Sequence, residues 1–83
     1  MVNRVVPAEE LLSTVYELAA RLASGPSTAL RTIKRLVYQG QHMDLRTHLD
    51  LVSSHMAIIR QTEDHREGAR AFVEKRPPRF VGH

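Results

Sequence analysis

The chain has 83 residues, of which 42% are hydrophobic and 25% charged, with a formal charge of +3 and no cysteine. A chain this short forms one domain at most and buries only about 60 to 65% of the surface its unfolded state exposes, so its stability margin is thin and a partner surface would add to it. Without cysteine there is no disulfide framework, thiolate metal site or thiol nucleophile, and no apolar run approaches the roughly 20 residues of a membrane span; a cytoplasmic protein with no membrane partner is the expectation.

The pattern predicts an all-α protein of about four helices after a short extended segment. Val2, Val5 and Val6 before Pro7 read as extended, because β-branched residues favour strands and the residue preceding proline is pushed out of the helical region. No second strand-like run exists to pair with them. The first helix follows Pro7, with Glu9 and Glu10 in its first turn and Gly25 at its stop; Leu11, Val15, Leu18 and Leu22 form its apolar stripe. Pro26 opens the second helix, whose expected buried side is Ala29, Leu30, Ile33, Leu36 and Val37, with Arg31, Lys34 and Arg35 on other faces.

Asp44 is a natural N-cap for the third helix, in which Leu45, Leu49, Val52, Met56 and Ile59 repeat at spacings of four, three, four and three. Leu51 and Ile58 add a second apolar line, more than one neighbouring helix would cover. Asp64 followed by Glu67 reads as a capping box for the last helix, with Ala69, Phe72 and Val73 as its apolar positions and Pro77-Pro78 as its end. From His65 onward, five bases (Arg66, Arg70, Lys75, Arg76, Arg79) stand against Glu67 and Glu74, so the tail favours anions.

The terminal stretch has the pattern ED-x-x-EG-x-x-AF-x-EKR-x-P-x-F, supplied by Glu63, Asp64, Glu67, Gly68, Ala71, Phe72, Glu74, Lys75, Arg76, Pro78 and Phe80. With VNRVVP near the start and GPSTALRTIK between, it resembles the C-terminal region of the enoyl-CoA hydratase/isomerase, or crotonase, family along nearly the whole chain. The resemblance implies that residues 1–83 are a single C-terminal helical oligomerisation domain, the last third of a typical member. The N-terminal spiral that carries the catalytic carboxylates and the oxyanion-binding N–H groups would be absent, and the opening valines would be its tail.

The resemblance further implies trimer-type contacts with further copies, or packing on a crotonase catalytic domain, and an acyl-CoA ligand. No cofactor is required beyond the coenzyme A thioester handled by the parent enzyme. Phe72 and Lys75 match the family residues near the adenine and phosphate end of coenzyme A, and are expected to bind it. Their spacing of three would make them neighbours on one helical face, an apolar wall beside an ammonium. Core packing is the plainer role for Phe72, and a solvated cation favoured by the helix dipole is the plainer role for Lys75. Gly68, in mid-helix, points to close packing of another backbone or a ligand.

No catalytic residue is assigned. Glu9 with Glu10 and Glu63 with Asp64 are first-turn or capping carboxylates, expected to be solvated and ionised. Ser53 and Ser54 beside His55 lack an oxyanion loop or nucleophile turn. His42, His48, His55, His65 and His83 offer no pair at the i, i+3 or i, i+4 spacing of a helical metal site, so no metal is expected. The alternatives are a small basic helical nucleic-acid-binding protein and an adaptor that pairs with full-length crotonase subunits. The first is disfavoured, because the basic face of the second helix lacks asparagine and has only distant Gln39 and Gln41, so no nucleic-acid partner is expected.

Overall fold

A computed structural model describes residues 2–83. Four α-helices follow one another: α1 Leu11–Ala23, α2 Ser27–Gly40, α3 Leu45–Ile59 and α4 Glu63–Glu74. Among the described residues there is no strand, so the all-α expectation holds, and the residues from Val2 to Pro7 run as irregular chain with Val5 exposed. A single 3-10 turn, Ala8–Glu10, carries the chain from Pro7 into α1. Glu9 and Glu10 therefore sit in that turn, ahead of α1.

Local signals account for most boundaries. α1 ends through the Ser24 and Gly25 N–H groups, which donate to the Ala20 and Leu22 carbonyls. Pro26, with extended ψ, is the residue before α2, where its missing N–H costs nothing. Asp44 caps α3 as the sequence suggests: its carboxylate accepts the Thr47 N–H at 3.0 Å and the Thr47 hydroxyl at 2.6 Å. Those two bonds hold the Asp44 carboxyl below its ordinary pKa.

The principal helix-to-helix packing is α2 on α3. Its hinge pin is His48, whose Nε2 lies 2.9 Å from the Leu36 carbonyl oxygen. A carbonyl only accepts, so Nε2 carries the proton and donates. The ring lies so close to α2 that a Cβ added at Gly40 would come within 2.8 Å of it. The half-buried line of α3 is accordingly His48, Leu51, Val52, His55 and Ile59, facing the buried Leu36 of α2. His55 spends its Nδ1 on the Leu51 carbonyl at 2.9 Å, and the Ser54 hydroxyl donates to the Asp50 carbonyl at 3.0 Å.

Much of the expected core is uncovered. Leu11, Val15, Leu18 and Leu22 of α1 are each more than half exposed, as are Ile33 and Val37 of α2 and Leu45, Leu49 and Ile58 of α3. Leu36 and Ala71 are the buried apolar residues. The radius of gyration is 16.0 Å, against about 12 Å for a compact domain of this length. The stripes are real amphipathic faces, but the chain folds into an open array that leaves them without a neighbour.

The His48–Gly40 contact generates a sign-reversing test. Gly40→Ala gains about 1 kcal/mol of helix propensity but drives a methyl into the ring, for which overpacking costs of about 1–3 kcal/mol are typical. Chemical denaturation is expected to show a net loss in the native background and a net gain in a His48→Ala background. Stabilisation in both backgrounds would contradict the packing.

Candidate functional site

α4 and the chain that follows it form a closed clip. Thr62, in extended backbone, caps α4 by accepting the His65 N–H on its hydroxyl at 3.1 Å. The sequence placed the cap at Asp64 with Glu67 as its partner; the threonine two residues earlier satisfies the first-turn donor instead, and both carboxylates turn to the tail. Asp64 is 3% exposed rather than solvated. Its two oxygens accept the Val81 N–H at 2.6 Å and the Gly82 N–H at 2.9 Å, while its own N–H donates to the His83 carbonyl at 2.9 Å. Glu63 stays exposed and pairs with Arg66 at 2.7 Å.

Glu67, one turn on, takes the other half of the clip. The Arg76 guanidinium grips it with two prongs, Nη1 to Oε1 at 2.6 Å and Nη2 to Oε2 at 3.1 Å, and the Arg79 N–H donates to Oε1 at 2.9 Å. Arg76 also donates through Nε to Glu74. Two-pronged pairs of this kind are directional as well as strong. The bonds from Arg76 and from the Arg79 N–H hold the Glu67 carboxyl down at about 2, and the two glutamates raise the Arg76 pKa.

Between these anchors α4 ends in a tight reversal. Lys75 adopts left-handed backbone, φ 54° and ψ 42°, and the Lys75 and Arg76 N–H groups donate to the Phe72 and Ala71 carbonyls. That bond pattern is a Schellman cap, whose left-handed position is most often glycine because a side chain there costs about 1–2 kcal/mol. Pro77 and Pro78, which have no N–H to satisfy, then turn the chain back along α4.

The returning tail also reaches α2. The Thr28 hydroxyl donates to the Gly82 carbonyl at 3.0 Å, and Gly82, at φ 92°, passes close enough to Ser27 that a Cβ would sit 3.2 Å from its hydroxyl oxygen. Phe80 lies over Gly68, 3.7 Å from where a Cβ would stand. The close neighbour expected at Gly68 is thus this chain's own ring at ordinary contact distance. Phe80, Pro26, Ala29, Ile59 and Ala69 line a mostly apolar cavity of about 360 Å³.

The two residues singled out for coenzyme A stand apart from the clip. Phe72 is 85% exposed, so it does not pack in this chain's own core. Of the apolar positions of this helix, Ala69 lines the cavity but Phe72 and Val73 face outward, and the inward line is Asp64, Glu67, Gly68 and Ala71. That side meets backbone N–H groups and a ring edge, so it selects acids and small residues that a hydrophobic pattern does not register. Lys75 is exposed and has left the helix, so the two share no helical face; they flank the reversal instead. No ion pair to Lys75 occurs among the described residues. Asp64, Glu67 and Arg76 were not foreseen as a unit, although carboxylates at i and i+3 ahead of a proline-led tail with N–H donors beyond it were a usable signal.

Acid should open the clip at Glu67. A carboxyl whose pKa falls on folding, from an ordinary 4.5 to about 2, contributes stability that is complete above pH 4.5 and lost as pH falls through about 2. NMR of the Arg79 amide is expected to show its release across that window, and Glu67→Gln to remove the pH dependence. An Arg79 amide that titrates identically in both proteins would contradict the assignment.

Comparison with known proteins places this geometry. The sequence model described as enoyl-CoA hydratase/isomerase matches residues 1–83. The 1,2-epoxyphenylacetyl-CoA isomerase of Escherichia coli is 37% identical over 82 residues, which is 99% of this chain and 31% of the relative. The crotonyl-CoA hydratase of Syntrophomonas wolfei is 33% identical over 98% of this chain and 31% of its own length. A solved structure of an enoyl-CoA hydratase from Bacillus anthracis superposes with a TM-score of 0.88 at 34% identity, covering 95% of this chain and 31% of that one. The chain therefore spans about a third of the length of the curated relatives it matches. On the strength of a match running from the first residue to the last, the chain belongs to the enoyl-CoA hydratase/isomerase family.

Proposed function

We infer that this chain is the C-terminal helical part of an enoyl-CoA hydratase/isomerase-type protein of acyl-CoA metabolism, acting in the cytoplasm. It covers its apolar faces with further copies or a catalytic domain, and it contributes one wall of a coenzyme A site through Phe72 and Lys75. Alone it is catalytically incomplete. The observation that carries the reading is the division of labour inside the terminal motif. Asp64, Glu67, Gly68, Ala71, Glu74, Arg76 and Phe80 are accounted for by contacts within the chain, whereas Phe72 and Lys75 are exposed and unaccounted for. An exposed ring and an unpaired ammonium three residues on, at the same end of α4, suit a nucleotide base and a phosphate.

Surface area supports the assembly part of the reading. The accessible surface is 7248 Å², against about 5,000 Å² for a compact monomer of this mass. The excess of about 2,000 Å² exceeds the ~800 Å² that each partner gives up in a standard interface. The exposed leucine, valine and isoleucine side chains of α1, α2 and α3 are part of it.

Light scattering and a coenzyme A titration followed by amide NMR test the two halves together. The chain is expected to associate, and coenzyme A to shift the Phe72 and Lys75 amides with weak, roughly millimolar affinity, an effect that Phe72→Ala and Lys75→Ala each reduce. A strict monomer at high concentration would contradict the assembly, and shifts indifferent to both substitutions would contradict the site.

A further inference from the structure

The clip does more than tether the tail. Lys75 is the one non-glycine residue with positive φ among the described residues, and it sits at the apex of a loop closed on one side by α4 and on the other by the bonds from Glu67 and Asp64 to the tail. Its neighbour Arg76 is the most heavily engaged cation of the tail: its guanidinium meets Glu67, Glu74 and the Pro77 carbonyl. A guanidinium used in this way has little left to offer a ligand.

We propose that Glu67 and Arg76 are positioning residues that hold Lys75 in left-handed backbone and so set the direction in which its side chain leaves the end of α4 that carries the exposed Phe72. The inference rests on the coenzyme A reading of those two residues. The physical reason is that a lysine left to itself avoids this conformation. Glu74 before the turn and Glu67 two turns further back both seize the side chain of Arg76, the residue after it, which fixes the direction in which the chain leaves Lys75. The Arg79 N–H on Glu67 keeps the two prolines from swinging away. Opening the clip leaves only the Lys75 and Arg76 N–H bonds to α4 to hold the turn against the ~1–2 kcal/mol cost of left-handed backbone, and the fraction of molecules presenting the ammonium falls to about a tenth. Apparent affinity falls in proportion to that fraction, about tenfold.

The test is made on the full 83-residue chain, with NMR couplings that report the sign of φ at Lys75 and a titration with coenzyme A. In Glu67→Gln the couplings are expected to lose positive φ and the dissociation constant to rise about tenfold. Arg76→Lys, which keeps the charge and gives up the two-pronged contact, is expected to show a smaller change of the same kind. Lys75→Gly separates positioning from plain stabilisation: it is expected to raise the unfolding midpoint and yet to lose the coenzyme A response, because glycine accepts the backbone but supplies no ammonium. Positive φ retained in both clip variants, or lost with affinity unchanged, would overturn the proposal. If the native chain shows no coenzyme A shift at Phe72 and Lys75, the functional reading falls, and the φ couplings still decide whether the clip sets the backbone of Lys75.

Discussion

Two carboxylates one turn apart, Asp64 and Glu67, bind the backbone of a tail that has no regular structure of its own, and the joining of α4 to α2 depends on that contact. Each N–H they receive belongs to a residue beyond Pro77-Pro78, where the chain has neither a helix nor a sheet in which to satisfy its donors. A charged acceptor for a buried N–H is worth more than a neutral one, and removing it strands the donors as well as the charge. With the tail held, Phe80 covers Gly68 and Thr28 of α2 reaches the Gly82 carbonyl, so α4 is joined to α2 across more than fifty residues of sequence. The reversal at Lys75 is the geometric cost of bringing the tail back.

The remainder of the fold is held by a few contacts of high definition. Leu36 and Ala71 supply the buried apolar side chains, and His48 pins α3 to α2 through a backbone carbonyl at a position opened by Gly40. Against this stand three helices whose leucine, isoleucine and valine faces are open to water. Amphipathic stripes derive most of their value from a covering surface. Here the pattern marks where cover belongs, and the chain does not itself provide it.

The helices and their order were legible because they rest on local rules: Asp44 before a seven-residue apolar repeat, Gly25-Pro26 between two stripes, and Pro77-Pro78 as a stop. The family was legible because the terminal motif is dense. What the sequence did not yield was the job of each motif residue. Asp64 read as a cap because an acid before a helix usually is one, yet Thr62 had already taken that role. Core packing stood as the plainer alternative for Phe72 because of its neighbours Ala69 and Val73, yet the inward side of α4 is defined by what it faces, a string of amide donors. Lys75 read as helical, yet α4 ends at Glu74, two residues short of Arg76, with Lys75 in left-handed backbone. Each misreading has one origin: a tail that folds back supplies polar partners which hydrophobic periodicity does not encode.

Asp64 holds the end of the tail through the Val81 and Gly82 N–H groups. Amide hydrogen exchange at Val81 and Gly82 measures this directly. The account predicts slow exchange at both residues in the native chain and rates typical of unstructured peptide in Asp64→Asn, with the α2–α3 amides around Leu36 unchanged. Unprotected Val81 and Gly82 amides in the native chain would contradict it.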